Sequence, residues 1–144
     1  MIPSFHTPDA ILAVAITIAG ILLASLIKEP YRRTVMAFVL AGAGATYLSG
    51  GGFGRWEFAG LAVTYCAYKG LNSYRFIAIG WILHAISDLV HHYYGNPLLP
   101  FMPTSSAGCA ITDTILAVWF FANAPSVFDF VLSTRHREAP SLSR

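Results

Sequence analysis

The sequence predicts an all-α protein: an integral membrane bundle of five transmembrane helices, N-terminus outside and C-terminus cytoplasmic. Three observations carry that prediction. Of the 144 residues, 56% are hydrophobic and only 11% charged, whereas soluble domains average about 25% charged. Mean hydropathy is +0.59. Apolar runs long enough to cross a bilayer recur along the chain, separated by short polar turns. The basic residues, finally, alternate between connections in the way positive-inside orientation requires.

Taken in order, span one covers residues 9–27, close to the ~20 residues that cross a hydrocarbon core about 30 Å thick. Pro8 and Asp9 suit a helix start, with Asp9 at the positive end of the dipole. The N-terminus lacks the basic segment of a signal peptide, so the first run reads as a retained span. Span two covers 34–48, and its Ala37, Ala41 and Ala45 form a small-residue stripe for close helix approach. The glycine-rich turn from Ser49 to Arg55 has neither the preceding strand nor the GK[ST] ending of a phosphate loop. Span three covers 56–71, with Trp56 at an interface. Span four covers 75–94. The connection from Gly95 to Ser105 is uncharged, apolar and proline-rich, so it reads as an interfacial or slightly re-entrant segment. Span five covers 106–122, and Pro125 to Leu132 either extends it with a kink or forms a short interfacial helix. Residues 1–132 thus form one domain, and 133–144 a polar cytoplasmic tail.

Lys28, Arg32, Arg33, Lys69, Arg75, Arg135, Arg137 and Arg144 all fall on one side of this topology, with Arg55 alone on the other. Four or six spans would scramble that alternation. The scattered positive charge excludes a nucleic-acid footprint. Cys66 and Cys109 fall on different spans at different depths, which argues against a disulfide.

Span four carries the chemistry, reading W-I-L-H-A-I-S-D-L-V-H-H-Y-Y from Trp81 to Tyr94. At about 100° per residue, Asp88 lies some 40° from His84 and His91 about 20° to the other side. His92 sits beside Asp88 at i,i+4. Each ionisable group in a bilayer costs energy, roughly 2.5–3.5 kcal/mol for Asp at a helix centre. Such a stripe therefore implies an interior site with partners. Counting about 1.5 Å per residue from the outer ends places Asp88 and Asp113 at the same depth, roughly 10 Å down. Ser106, Cys109 and Asp113 share a stripe on span five, and His6, Asp9 and Glu57 belong to the same outer side. Glu57 is equally well explained as a favourable charge at a helix start. The inner half has no comparable groups.

Imidazole and carboxylate ligands at this spacing suit zinc first, with iron, manganese or copper as alternatives. The candidate ligands are His84, Asp88, His91, His92 and Asp113. Asp88 with His91 or His92, plus Asp113, would leave one position open for water. His84 and His91 lie about 10.5 Å apart along the axis, too far to share an ion without Asp88. That implies either two metals or one histidine that orients a ligand. Asp88 and Asp113 are the candidate catalytic residues, Asp113 as a general base. Cys109 reads as a buried inert thiol. Ser87, Thr64, Thr112 and Thr114 read as inter-helix hydrogen-bonding groups.

Three functions compete. A metal-dependent membrane hydrolase, open to the outer leaflet and acting on a lipid-like or apolar molecule, uses the full ligand set, with Pro97–Pro103 as a lid. A proton or metal-ion transporter would use the same residues as a relay, but the inner half offers no polar path unless a homo-oligomer supplies one. A haem protein needs axial histidines from two spans, and all the intramembrane histidines lie on span four. The stretch from Gly80 to Phe121, with H-A-x-x-D-x-x-H-H, G-N-P and S-S-A-G-C-A-I-T-D, resembles a family of small bacterial membrane proteins of unknown function. That resemblance implies a polytopic membrane fold and supplies no activity; the topology itself leads us to expect a multi-pass protein of the cell inner membrane.

Overall fold

The computed structural model describes residues 3–129, so the expected tail, with Arg135, Arg137 and Arg144, lies outside the described residues. These form five α-helices: α1 (Thr7–Ser25), α2 (Tyr31–Ala45), α3 (Leu61–Gly70), α4 (Tyr74–Tyr94) and α5 (Ser105–Phe121). Two 3₁₀ helices, Thr46–Ser49 and Gly54–Gly60, lie between α2 and α3. No strand occurs among the described residues; Leu99 and Met102 make a single isolated bridge. By length and composition, one helix, Thr7–Ser25, is clearly able to cross a membrane.

Local chemistry explains the helix ends. At the start of α1, the backbone N–H of His6 donates to Asp9 Oδ2 at 3.0 Å, closing a capping box that leaves fewer orphan donors. At its other end, Arg32 gathers carbonyls of the last turn of α1 and of the residues just after it. Its buried guanidinium donates to Ala24 O (3.1 Å), Ile27 O (2.9 Å) and Ser25 O (3.4 Å), and also to Ala124 O at 2.8 Å. Arg32, counted in the sequence as a loop charge, is therefore an internal staple between the ends of α1 and α5. Beyond α5 the chain turns at Asn123 and Ala124, both with positive φ (63° and 46°). The segment after Phe121 thus does not continue the helix in line.

The helices alternate in direction, and contacts between connections establish it. The α1–α2 connection meets the α3–α4 connection, where Arg33 Nε donates to Leu71 O at 3.0 Å and Tyr74 bonds Glu29. At the opposite end, the glycine loop meets the α4–α5 connection: Asn96 N–H donates to Gly51 O (2.8 Å) and Asn96 Nδ2 to Gly50 O (2.7 Å). Below, these are called the basic end and the glycine-loop end. α4 sits centrally, packed against α5, α3 and α2, while α1 lies on the outside against α5. Thr17 Oγ1–H donates to Ala13 O at 2.7 Å within α1, and Thr112 Oγ1, 3.0 Å away across that α1–α5 seam, is placed to donate to Thr17.

The apolar core fills the half nearer the basic end. Leu40, Ile77, Ala78, Ala117 and Phe120 are fully buried there, with Trp81 above them. A close approach between α2 and the second 3₁₀ helix uses Gly44 and Gly60 rather than the expected Ala41 and Ala45. A Cβ on Gly60 would lie 2.3 Å from Gly44 O, and one on Gly44 2.9 Å from Gly60 O. Of the alanine stripe, Ala37 is buried while Ala45 is exposed. Cys66 and Cys109 are both free thiols.

Candidate metal centre

The half nearer the glycine-loop end is filled with polar side chains. Its first cluster is His84, Asp88 and Asp113, all buried. Asp88 follows His84 at i+4, which puts both on one face of α4, and α5 brings Asp113 opposite them. His84 Nδ1 lies 2.7 Å from Asp113 Oδ2 and 3.5 Å from Asp88 Oδ2. One ligand atom from each residue falls within 4.8 Å of the other two.

Hydrogen bonds around the cluster fix its geometry. His84 Nε2–H donates to Ala43 O at 2.8 Å, so the lone pair or second proton of the ring is at Nδ1, facing the carboxylates. Tyr47 Oη–H donates to Asp88 Oδ1 at 2.6 Å, and its oxygen lies 2.9 Å from Ser106 Oγ. A phenol has one proton, and the shorter contact takes it to the carboxylate. The Ser106 hydroxyl, which accepts Leu98 N–H at 3.0 Å, then donates to Tyr47. A directed chain thus runs from the Leu98 backbone through Ser106 and Tyr47 to Asp88. It leaves Asp88 Oδ2 fully buried and without a hydrogen-bond partner. A buried carboxylate oxygen with an unused lone pair is costly, and this one faces the same small space as His84 Nδ1 and Asp113 Oδ2.

A second cluster lies nearer the glycine loop. His91 Nδ1–H donates to Ser87 O at 2.7 Å, and Nε2 meets Glu57 Oε2 at 3.0 Å. Glu57 Oε1 accepts Phe53 N–H at 2.9 Å. The His91 ring stacks on Tyr47, with centroids 3.5 Å apart and planes 8° apart, so Tyr47 separates the two clusters. Gly51 crosses directly over the pair; a Cβ there would lie 2.2 Å from Glu57 Oε1 and 2.6 Å from His91 Nε2.

Of the five ligand candidates, then, the structure gathers His84, Asp88 and Asp113. His91 turns away because a second carboxylate, Glu57, competes for its ring two turns up the helix. His92, on the other side of Asp88, is buried with Nδ1 unpartnered, but lines a separate hollow with Pro3, Pro97 and Pro103. His6 and Asp9 cap α1 instead of closing the site. Cys109 is partly exposed and outside the ligand group. Tyr47, buried and carried on the 3₁₀ turn after Ala45, has no signal in the sequence. Ser106 belongs to the span-five stripe, but its bond to Tyr47 is visible only in the structure.

Residues 8–126 match the profile of a family described as Family of unknown function (DUF6010), and the chain belongs to that family. The match reaches well beyond the Gly80–Phe121 stretch that carried the resemblance. Neither a curated protein nor a solved structure matches the chain.

Proposed function

We propose that this is a five-span membrane protein in which His84, Asp88 and Asp113 hold a divalent metal ion, zinc first, for hydrolysis of a lipid-like substrate. The observation that carries the reading is the orphaned Asp88 Oδ2, buried beside His84 Nδ1 and Asp113 Oδ2. One nitrogen and two carboxylate oxygens with a position left open are the donor set of a catalytic site. When bound, the ion would supply a polarised water. The chain's own groups do the rest. The Ala43 carbonyl holds the His84 ring with Nδ1 inward, the arrangement that orients metal-ligating histidines. Tyr47 occupies Asp88 Oδ1, which keeps Oδ2 for the ion. Asp113 Oδ2, at 2.7 Å from His84 Nδ1, is the oxygen that α5 would bring to the ion.

Helix lengths support five spans although most segments fall short on apolarity or α-helical length. α4, at 21 residues, extends about 31 Å at 1.5 Å per residue, but its polar stripe and Arg75 lower its hydropathy. The 7-residue 3₁₀ helix and the 10-residue α3 together extend roughly 29 Å, since a 3₁₀ helix rises about 2.0 Å per residue. α2 with its 4-residue 3₁₀ extension reaches about 30 Å by the same sum. Large apolar side chains are exposed around the flank, including Ile11, Leu23, Phe38, Tyr65, Ile86 and Val118, far more than a soluble surface carries. The basic end would face the cytoplasm. Against the relay reading stands the packed apolar core between the cluster and the basic end.

Metal analysis of detergent-purified protein, prepared without chelators, tests the proposal. Stoichiometric zinc or another divalent ion in wild type, lost in Asp88→Asn and Asp113→Asn, supports it. A folded, metal-free wild type that also fails to take up added zinc overturns it.

A further inference from the structure

Between α4 and the segment formed by the second 3₁₀ helix and α3 lies a groove of about 450 Å³. Ala59, Ala62 and Val63 form one wall, and Leu83, Ile86 and Val90 the other. Trp56, 71% exposed, stands at its mouth. Ile86 and Val90 are exposed too, so the groove opens sideways onto the apolar flank rather than toward either end of the bundle. Its floor is polar: Tyr47, His84, and the buried Glu57–His91 pair. An apolar cleft with a few convergent polar groups is the usual form of a small-molecule site.

Volume and charge narrow the occupant. At roughly 30 Å³ per water-sized group, the groove has room for about fifteen such groups. That is one aliphatic chain, not the two of a phospholipid. No lysine or arginine lines it. Three carboxylates, Glu57, Asp88 and Asp113, stand at or just behind the floor against two imidazoles, His84 and His91, and a divalent ion would not make that balance positive. An anionic head group is therefore repelled, whereas a hydroxyl can donate to a free lone pair of the Glu57 carboxylate, which His91 Nε2 holds at 3.0 Å.

We infer that the groove binds a neutral, hydroxyl-headed single-chain amphiphile, such as a monoacylglycerol, entering sideways past Trp56 with its hydroxyl at the Glu57–His91 pair. The inference rests on the membrane-hydrolase reading for its setting and names that reading's substrate class, but binding itself needs no metal.

The test uses the full chain in detergent micelles, with Trp81→Phe and Trp119→Phe leaving Trp56 as reporter. A monoacylglycerol brominated along its chain should quench Trp56 saturably. The fatty acid of the same chain length should bind about tenfold more weakly or less, as like-charge juxtaposition demands. Ala62→Phe, and independently Ala59→Phe, should abolish saturable quenching while the metal content of the same samples stays at the wild-type level. Quenching that rises without saturation, that survives both substitutions, or that is as strong with the fatty acid overturns the inference. If the parent reporter protein is itself damaged, saturable retention of the monoacylglycerol by wild type, measured by mass spectrometry of the purified protein, decides between the same outcomes. Saturable binding by metal-free protein would leave the groove standing and remove only the metal reading.

Discussion

Tyr47→Phe removes one oxygen and leaves nearly everything else in place. The ring keeps its stack on His91, so no cavity larger than a hydroxyl opens. What disappears is the 2.6 Å bond to Asp88 Oδ1 and the 2.9 Å contact with Ser106. Cross-helix hydrogen bonds in membranes average only about 0.6 kcal/mol, with a maximum near 1.7. Here the deleted donor serves a carboxylate with no exposure whose other oxygen is already unpartnered. The cost should thus approach that of stranding a buried polar group, about 1–3 kcal/mol. At about 2–4 °C per kcal/mol for a chain of this size, the melting midpoint falls by roughly 2–12 °C. Asp88 also loses its orientation, so zinc affinity should drop by about 10–100-fold, the usual effect of removing a group that holds a ligand. Circular dichroism melts in detergent and competition with a chelating dye read the two effects. Tyr65→Phe, at a tyrosine 58% exposed, serves as the control and should change neither. A Tyr47→Phe protein with an unaltered midpoint and unaltered zinc affinity would refute the hydrogen-bond chain from Ser106 to Asp88.

Other perturbations address the frame. Gly60→Ala drives a methyl to within 2.3 Å of the Gly44 carbonyl, which backbone cannot yield to cheaply. It should cost more than the ~1 kcal/mol that glycine-to-alanine changes normally return in a helix, seen as a lower melting midpoint or failure to purify as a monodisperse species. Arg32→Lys keeps the charge but cannot reach four carbonyls with one ammonium. It should destabilise by about 2 kcal/mol, a loss typical of broken charged hydrogen bonds, whereas the exposed Lys28→Arg should be neutral in the same melts. Cysteines introduced singly at Arg55 and Lys69 should differ in intact cells. A membrane-impermeant thiol reagent should label Arg55→Cys and spare Lys69→Cys until the cells are lysed; equal labelling would remove the five-span orientation.

Much of the frame was legible because helical periodicity and turn residues act locally. Four of the five expected segments have their helix within a few residues, among them 75–94 against Tyr74–Tyr94 and 106–122 against Ser105–Phe121. The third was not, since nothing in G-R-W-E-F-A-G signals that its first seven residues wind as a 3₁₀ helix. That 3₁₀ helix ends at Gly60, where it meets Gly44 in a tertiary contact. The same limit governs the site. The i,i+4 spacing and matched depth announced that Asp88 and Asp113 would meet, because both are properties of single helices. Which histidine joined them depended on where Glu57 lay, and Glu57 could be read equally as a helix-start charge. Arg32 was hidden for a related reason. As a sequence feature it is one of three basic residues in a turn, and only the carbonyls that the ends of α1 and α5 bring together hold it inside.

An anomalous-scattering map from crystals of the zinc-supplied protein tests the metal centre most directly. The account predicts a peak bonded at about 2.0–2.2 Å to His84 Nδ1, Asp88 Oδ2 and Asp113 Oδ2, with His91 still turned to Glu57. Zinc density elsewhere, or none between those three atoms in well-ordered crystals, would contradict it.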